Sequence, residues 1–416
     1  MRHPRPLSLA LGFVAFAGWL LFILACTGWP AWSPDGKKIV FPYVDKKAGS
    51  FGIALYDRQK KTVIPFYLGQ RSEGGSEGVP SGAQWSKDGT QVLVYEGSES
   101  SGRSTIQILG FPVVDRYPIH SFSVSGNEVV DVPPLAEVNG SLYLPFNGIT
   151  VLDLTTWRKR DRSLATRTAR LFAMGERVLY LMGPEQKQPT ATDAGKVPGT
   201  QAQEEKKDAP VPLEFGELDQ NDLSQHAWFT VTDHQIAEFA KCEEPSLGAV
   251  PAVDPGSERM AFTLECKAKP DAIVVLDRRG LQQVIRPKAE GNFILTSPQW
   301  SHDGKTLYSG IYFPDNPAKK SQFGIAEIAL DSGMVRQTPV TKFSLAADEY
   351  RTGIRVSLSS DGAMLATSTA LMEGEQDIDW ENAALYIVDL RDPQRAVTKI
   401  HPPNWHFQAA DKKKTP

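Results

Sequence analysis

One short pattern has the residue types and spacing of a hydrolase nucleophile. Gly74–Gly78 fits G-x-S-x-G, but such a serine has to stand on a sharp turn between a strand and a helix. Here the surrounding stretch, 70–82, is rich in glycine and serine, and Pro80 follows closely. We therefore interpret the pattern as a loop, and the sequence predicts no catalytic residue.

The histidines and carboxylates do not have the spacing of a known metal site. The seven histidines form no HExxH pair and have no cysteine or carboxylate at zinc-ligand spacing. The densest acidic stretch, Glu373–Glu381, lacks the residue order of an EF-hand loop. We interpret it as a solvated loop, with binding of calcium or of a basic partner as the alternative. No P-loop or Rossmann fingerprint is present, so we predict neither a metal nor a cofactor.

The N-terminal residues predict export and membrane attachment. Arg2 and Arg5 precede an uncharged run, Leu7–Ala25, which is the order of a signal sequence. The run of 19 residues is also just long enough to cross a bilayer. Ile23–Cys26 reads I-L-A-C and resembles a bacterial lipobox, which implies lipidation of Cys26. An uncleaved anchor and a soluble secreted form are the alternatives.

Each of these alternatives places the rest of the chain outside the cytoplasm. The residue after the cysteine, Thr27, is not the aspartate that retains some bacterial lipoproteins at the inner membrane. The predicted location is therefore the bacterial cell envelope, as a periplasm-facing or outer-membrane lipoprotein. Cys242 and Cys266 are the other two cysteines, each in a strand-like run, Gln235–Cys242 and Met260–Cys266. In an oxidising compartment they predict a disulfide, with two free buried thiols as the alternative.

A recurring motif indicates the elements that have to position these residues. Its three best copies read W-S-P-D-G-K-K-I-V-F, W-S-K-D-G-T-Q-V-L-V-Y and W-S-H-D-G-K-T-L-Y-S. A fourth copy has Leu358 in place of the tryptophan, and a fifth, Pro251–Phe262, has Val253 there. Asp-Gly between strand-like runs predicts a hairpin turn, because glycine tolerates a positive φ. The residues that the repeat singles out are Trp32, Asp35, Gly36, Trp85, Asp88, Gly89, Trp300, Asp303, Gly304, Asp361 and Gly362.

A second recurring pattern, an apolar strand that ends in aspartate, indicates the number of repeats. It occurs in Ile53–Asp57, Ile149–Asp153, Ile273–Asp277 and elsewhere, and weaker glycine turns follow Asn139 and Met174. Many short strands at this spacing predict an all-β protein, a β-propeller of seven four-stranded antiparallel blades, or of six if the third and fourth merge. The predicted blades cover 28–75, 80–125, 128–165, 167–243, 246–290, 294–343 and 349–401. The repeated tryptophans are expected in the core between blades.

The predicted organisation has four parts. Residues 1–26 are a signal peptide or membrane anchor, 28–401 the propeller and 402–416 a C-terminal tail. Residues 184–222 are rich in proline, glutamine, glutamate and lysine. Such a composition cannot bury enough apolar surface to fold, so we interpret them as a disordered insertion within blade 4. A partner-binding lid anchored by Val211–Phe215 is the alternative.

The motif copies W-S-P-D-G, W-S-K-D-G and W-S-H-D-G resemble the TolB-type propeller repeat. Propellers of that type are periplasmic protein-interaction modules, and similar repeats precede the hydrolase domains of prolyl-oligopeptidase-type peptidases. The resemblance therefore implies a binding function or a hydrolytic one. The sequence departs from both types, since it has no separate N-terminal domain and its seventh repeat ends near residue 401.

Composition narrows the classes of partner. The net charge is −4 and no long basic run occurs, which disfavours nucleic acid. The sequence thus predicts a non-enzymatic envelope propeller, tethered to the membrane, that acts as a scaffold for a protein or peptide partner. The alternatives are a hydrolase or lyase acting on peptide or glycan at the central channel, and an accessory subunit of a larger envelope complex.

Overall fold

The computed structural model describes most of the chain between Trp29 and His401. The described residues are 29–45, 50–68, 79–100, 103–112, 118, 120–126, 135–145, 148–162, 169–183, 212–248, 250–256, 258–267, 269–296, 298–313, 322–342, 355–369, 372–373, 377–378 and 384–401. Cys26, the Gly74–Gly78 pattern, most of Glu373–Glu381 and the tail 402–416 lie outside them.

The described residues form seven antiparallel sheets of four or five strands, here numbered blades 1 to 7 in chain order, and one two-stranded hairpin. Blade 1 contains β1 (Ala31–Trp32), β2 (Lys38–Asp45), β3 (Ser50–Asp57) and β4 (Thr62–Leu68). Blade 2 contains β5 (Val79–Trp85), β6 (Gln91–Ser100), β7 (Arg103–Pro112) and β8 (His120–Gly126). Blade 3 contains β9 (Ala136–Val138), β10 (Ser141–Leu144), β11 (Ile149–Asp153) and β12 (Lys159–Arg162). Blade 4 contains β13 (Ala169–Met174), β14 (Arg177–Met182), β15 (Leu213–Leu218) and β16 (Gln225–Val231).

In the next two blades the first strand is split into two short pieces that pair with the same second strand. Blade 5 contains β17 (Ser246–Leu247), β18 (Ala252–Val253), β19 (Met260–Cys266), β20 (Lys269–Asp277) and β21 (Gly280–Ile285). Blade 6 contains β22 (Ile294–Leu295), β23 (Gln299–Trp300), β24 (Thr306–Phe313), β25 (Gln322–Ala329) and β26 (Val335–Lys342). Blade 7 contains β27 (Val356–Leu358), β28 (Met364–Thr369), β31 (Ala384–Asp389) and β32 (Val397–Ile400), with the small hairpin β29 (Met372–Glu373) and β30 (Asp377–Ile378) between β28 and β31.

The prediction of an all-β fold with seven four-stranded blades is confirmed. Six blades is wrong, because β9–β12 and β13–β16 form separate sheets. The blades belong to two compact units: blades 1, 2, 6 and 7 form unit 1, and blades 3, 4 and 5 form unit 2 (135–286). Inside each unit, apolar side chains of one blade pack against those of the next. In unit 1, Val40 and Leu55 of blade 1 share a cluster with Val92 and Phe111 of blade 2.

One predicted strand is a helix. The run Gln235–Cys242 was expected to be a strand, but α1 (Asp233–Ala240) occupies it. Thr232 starts this helix: its side chain accepts a hydrogen bond from the backbone N–H of Gln235, and the Gln235 side chain accepts one from the N–H of Thr232. This reciprocal capping box satisfies two N–H groups that a helix otherwise leaves without partners. Its T-x-x-Q signal was present in the sequence, and the alternation expected of a strand obscured it.

The disulfide closes the same region. Lys241, whose backbone has the left-handed conformation, caps α1 at its C-terminal end, and Cys242 is the next residue. Cys266 is the last residue of β19. Their sulfur atoms are bonded, with the Cα atoms 5.4 Å apart, which is ordinary disulfide spacing. Both cysteines are buried. The bond therefore ties the connection between blades 4 and 5 to the second strand of blade 5.

The C-terminal limit of the predicted insertion is wrong. Residues 184–211 lie outside the described residues, but β15 (Leu213–Leu218) pairs with β14 on one side and β16 on the other. Phe215 is only 1 % exposed and lies in the core of unit 2. It therefore cannot anchor a lid on a partner. The polar composition of the longer stretch concealed a six-residue strand.

The uncharged run Leu7–Ala25, for which membrane attachment is predicted, precedes the described residues. Among the residues that the structure describes, no helix has both the length and the apolar character needed to cross a bilayer.

Candidate functional site

Four copies of the repeat fold into the same hydrogen-bonded turn. In blade 1 the Ser33 hydroxyl donates to Asp35 Oδ1 at 2.6 Å, and the backbone N–H of Lys37 donates to the same oxygen at 3.1 Å. The N–H of Lys38 donates to Ser33 Oγ at 2.9 Å, and Gly36 has a φ of +66°. The equivalent Ser–Asp hydrogen bonds measure 2.6, 2.6 and 2.5 Å at Ser86–Asp88, Ser301–Asp303 and Ser359–Asp361.

The serine of this turn is a residue that the sequence analysis did not single out. It occurs in all four copies immediately after the tryptophan or leucine, and this recurrence was the available signal. The hydroxyl joins two hydrogen bonds, since it donates to the carboxylate and accepts from the backbone N–H five residues on. Each serine–aspartate pair therefore closes one turn.

This bonding keeps the four aspartates charged. The serine hydrogen bond is the largest cause that lowers the pKa of the carboxyl below its ordinary value of 3.8, and a backbone N–H adds to it, for Asp35, Asp88, Asp303 and Asp361. A carboxylate whose ionised form is stabilised in this way is a poor proton acceptor near neutral pH. The arrangement therefore favours a structural role for these aspartates over a catalytic one.

The turns of neighbouring blades touch. A Cβ atom at Gly362 would lie 3.0 Å from the His302 ring, one at Gly36 would lie 3.2 Å from Ser360 Oγ, and one at Gly89 would lie 3.4 Å from the Pro34 ring. The residues after Ser33, Ser301 and Ser359 thus pack on the glycine of the turn in the neighbouring blade. We call the resulting continuous surface the turn edge of unit 1; it comprises Ser33–Gly36, Ser86–Gly89, Ser301–Gly304 and Ser359–Gly362.

Charges of both signs line the turn edge. Lys37 forms an ion pair with Asp35 at 3.3 Å, and its side chain is 55 % exposed. Arg58 donates to the carbonyl of Gly36 at 2.8 Å. Arg391 pairs with Asp389, and this is the first cause that lowers the pKa of the Asp389 carboxyl. A rigid surface of mixed charge suits recognition of a protein or peptide better than of a polyanion.

In the fifth, degenerate copy of the repeat, one aspartate accepts the backbone hydrogen bonds that a serine and an aspartate share in the other turns. Asp254 occupies the position of the serine in the ungapped alignment. Its Oδ1 accepts from the N–H groups of both Glu258 and Arg259, at 2.8 and 3.0 Å. Burial acts to raise the pKa of this carboxyl, but the two N–H donors and the Arg259 side chain outweigh it and hold the pKa below 3.8. Asp254 therefore does the work of both the serine and the aspartate.

The repeated tryptophans join neighbouring blades. Trp85 Nε1 of blade 2 donates to the carbonyl of Ala31 in blade 1 at 3.0 Å. Trp32 Nε1 of blade 1 donates at 3.0 Å to the carbonyl of Ser357 in blade 7. The acceptor each time directly precedes the tryptophan position of the neighbouring repeat. Trp300 is buried as well, with 5 % of its surface exposed.

Where the repeat has leucine instead, an ion pair joins the blades. Leu358 cannot donate a hydrogen bond to blade 6. Instead Arg395 of blade 7 binds Glu327 of β25 through two hydrogen bonds, Nε to Oε1 at 2.7 Å and Nη2 to Oε2 at 2.8 Å. Arg336 of blade 6 also donates to the carbonyl of Pro393. The Glu327 and Arg395 side chains are only 12 % and 17 % exposed, and this raises the energetic importance of a bidentate pair.

A buried acid lies between blades 1 and 2. The hydroxyl of Tyr67 in β4 donates to the carboxyl of Glu96 in β6, and Glu96 is only 6 % exposed. Burial raises the pKa of Glu96 above its ordinary 4.5, although the Tyr67 hydrogen bond lowers it in part. Burial, and then Glu96 itself, raise the pKa of Tyr67 as well. A raised carboxyl pKa is a feature of catalytic acids, but the hydrogen bond and low exposure make this pair a contact between blades.

The described histidines do not assemble a metal site. His302 is exposed on the turn edge, and His226 lies 3.3 Å from the Ser224 hydroxyl. Among the described residues, no three histidine, cysteine, aspartate or glutamate side chains lie together in a group that could hold a metal.

Contacts of Trp32 join the first blade to the last. All strands of blade 1 come from the start of the described chain, and all strands of blade 7 come from its end. The Trp32–Ser357 hydrogen bond, together with a shared cluster of Trp32, Phe41, Ala366 and Leu385, joins them. The chain is a seven-bladed β-propeller.

Comparisons with known proteins agree with this fold. No protein-family model and no curated protein sequence matches the chain. Among solved structures, a chain of the complex of KlAtg21 with the coiled coil of AgAtg16 is 10 % identical with a TM-score of 0.52, over 90 % of this chain and 98 % of that one. TolB from Acinetobacter baumannii is 14 % identical with a TM-score of 0.39, over 88 % and 80 %. The propeller domain of the Trilobed protease from Pyrococcus furiosus is 13 % identical with a TM-score of 0.42, over 76 % and 82 %. At such identities the likeness concerns the fold alone.

Proposed function

We propose that this propeller is a non-enzymatic scaffold of the bacterial cell envelope, attached to the membrane through its N-terminus, that binds a protein or peptide partner at the turn edge. The observation that carries the proposal is the packing of four equivalent turns into one surface. Each turn is fixed by a serine–aspartate hydrogen bond and by contact with the next blade. Side chains presented from such a surface lose little conformational freedom on binding.

The membrane part of the proposal rests on the sequence. The order of Arg2 and Arg5, the apolar run and the I-L-A-C pattern at Cys26 supports an exported, lipid-attached protein. The disulfide between Cys242 and Cys266 is consistent with an oxidising compartment.

A crosslinking pull-down from membranes tests the proposal. Two exposed lysines border the turn edge, because Lys37 directly follows Gly36 and Lys305 directly follows Gly304. Reversing both charges, Lys37→Glu and Lys305→Glu together, should reduce partner capture about tenfold, because like charges placed across an interface cost at least 1.4 kcal/mol. The matched control reverses two exposed lysines that do not belong to the turn edge, Lys399→Glu in blade 7 and Lys269→Glu in blade 5, and should leave capture unchanged.

The same preparation tests the attachment. Cys26→Ala should release the chain from the membrane fraction if that cysteine is lipidated. Equal capture by the turn-edge variant and its control would rule out the turn edge as the binding surface.

A further inference from the structure

We propose that the propeller sits on the membrane in one orientation, with the edge opposite the turn edge against the lipid headgroups. This inference rests on the proposed membrane attachment through the N-terminus. It adds which surface of unit 1 meets the bilayer and which surface stays free for a partner. The residue that carries it is Trp29, three positions after Cys26.

Trp29 packs against Arg355 of blade 7. The guanidinium carbon of Arg355 lies 4.0 Å from the centroid of the Trp29 ring, which is the geometry of a cation–π contact. Arg355 directly precedes β27, the first strand of blade 7. Three residues after Trp29, the indole of Trp32 donates to Ser357 of the same blade. The chain is therefore held by blade 7 from Trp29 onward and cannot serve as a loose linker there.

Little chain is left between this contact and the membrane. Only Thr27 and Gly28 separate Cys26 from Trp29. An extended chain spans at most about 3.5 Å per residue, so the Cα atoms of Cys26 and Trp29 are no more than roughly 11 Å apart. A headgroup layer is about 5–7 Å thick on each side of the hydrocarbon core. Attachment at Cys26, or at the end of the apolar run, therefore brings Trp29 to the headgroups, where tryptophan is enriched in membrane proteins.

The direction of the strands then decides which edge faces the bilayer. From Trp29 the chain runs through β1 straight into the turn Ser33–Gly36, and from Arg355 it runs through β27 into the turn Ser359–Gly362. Trp29 and Arg355 therefore lie at the ends of these strands opposite the turn edge. We call this the anchor edge; β32 (Val397–Ile400) also ends there and is followed by His401.

The depth of the blade separates the two edges. In blade 7 the six-residue strand β28 (Met364–Thr369) runs from the turn edge to the anchor edge. At about 3.4 Å per residue it covers roughly 17 Å. The turn edge is therefore held well clear of the headgroups and faces the compartment in which a partner would be met.

Energy transfer to labelled lipids tests the orientation. Full-length chain purified from membranes is reconstituted into phosphatidylethanolamine–phosphatidylglycerol vesicles that contain a lipid with an acceptor dye on its headgroup. A donor dye is attached at His401→Cys on the anchor edge or at Lys37→Cys on the turn edge; the unsubstituted chain corrects for labelling at Cys26. Transfer from position 401 should exceed that from position 37 about twofold or more, given the roughly 17 Å between the edges.

Trp29→Ala should bring the ratio of the two efficiencies toward one, because it frees the chain between the membrane and β1. The matched control is Trp228→Ala, which removes a comparable cation–π contact with Arg278, at 4.8 Å, in unit 2; it should leave the ratio unchanged. Equal transfer from both positions in chains that float with the vesicles overturns the orientation alone. A chain that does not float with the vesicles overturns the membrane attachment and the orientation with it.

Discussion

The serine and aspartate of each repeated turn act as one chemical unit. The hydroxyl satisfies one carboxylate oxygen, and the carboxylate in turn accepts a backbone N–H at the tip. In the degenerate fifth turn the single carboxylate of Asp254 makes the equivalent backbone contacts. The requirement at this position is thus an oxygen acceptor for two adjacent N–H groups, and either residue combination meets it.

Glu96 differs from the turn aspartates because its carboxyl pKa is raised and not lowered. This difference predicts how stability depends on pH. Its raised pKa means that the folded chain holds this proton more tightly than the unfolded chain does. Stability is therefore lost as the pH rises from about 4.5 through the folded-state pKa. Glu96→Gln keeps an oxygen for the Tyr67 hydroxyl and cannot ionise. We expect it to raise the free energy of unfolding at pH 7 and to have little effect at pH 4.

Urea unfolding of both chains from pH 4 to pH 8 measures this difference. Tyr67→Phe is the control, since it removes the hydrogen bond and keeps the acid; it should destabilise the chain and leave the pH dependence in place. A variant Glu96→Gln whose stability changes with pH in parallel with the parent chain would contradict the prediction.

At the scale of blades and turns, each junction in unit 1 is held by contacts of its own. Tryptophan hydrogen bonds join blades 7 and 1 and blades 1 and 2. The junction between blades 6 and 7 has Leu358 instead and relies on Glu327 and Arg395. At the junction between blades 6 and 7, the Glu327–Arg395 ion pair thus supplies a polar contact although the repeat there has no indole donor.

Removing one partner of that ion pair should be costly. Glu327→Ala leaves the largely buried Arg395 guanidinium without its carboxylate partner. Breaking a buried ion pair costs about 3–5 kcal/mol. The 17 % exposure of Arg395 reduces this through solvent screening, so we expect a loss of about 2–3 kcal/mol. Chemical denaturation at pH 7 measures it.

The control for this experiment lies on the surface of unit 2. Lys267 and Glu244 form an ion pair whose side chains are 59 % and 71 % exposed. Glu244→Ala should cost no more than about 1 kcal/mol. Similar losses from the two substitutions would show that the Glu327–Arg395 pair does not hold blades 6 and 7 together.

Across the whole molecule, aspartates with lowered pKa values set the response to acid. Those in the repeated turns and at strand ends are Asp35, Asp88, Asp153, Asp254, Asp277, Asp303, Asp361 and Asp389, and Asp161 and Asp222 have lowered pKa values as well. Because their folded-state pKa lies below the ordinary 3.8, the unfolded chain binds protons first as the pH falls. Their stabilisation is complete above about pH 5 and is lost as the pH drops through the folded-state pKa values.

We therefore expect stability to be level between pH 5 and 7 apart from the Glu96 contribution, and to fall steeply below about pH 4. Urea unfolding at pH 7, 5, 4 and 3 measures this. The double substitution Asp88→Asn and Asp303→Asn should lower stability at pH 7 and make the fall in acid shallower. An acid response that is unchanged by the double substitution would assign acid unfolding to other groups.

The number of blades and most of their limits follow from the sequence alone. Strand alternation and Asp-Gly turns depend on residues close together in the chain, so local patterns suffice to reveal them. Two local signals were nevertheless misread. The capping box at Thr232 marks a helix where a strand was expected, and β15 was hidden inside a polar stretch whose average composition suggested disorder.

Only the tertiary structure decided what joins the blades and what the turns create together. Trp32 and Ser357 are 325 positions apart, and Glu327 and Arg395 are 68 apart. No local pattern specifies such pairs, because only the packing of neighbouring blades in unit 1 brings them within hydrogen-bonding distance. The turn edge arises in the same way: each turn is encoded by five residues, but a continuous surface exists only after neighbouring blades have packed. The sequence alone determined the repeated turn, and the packing of one blade on the next determined the continuous surface at which we propose that a partner binds.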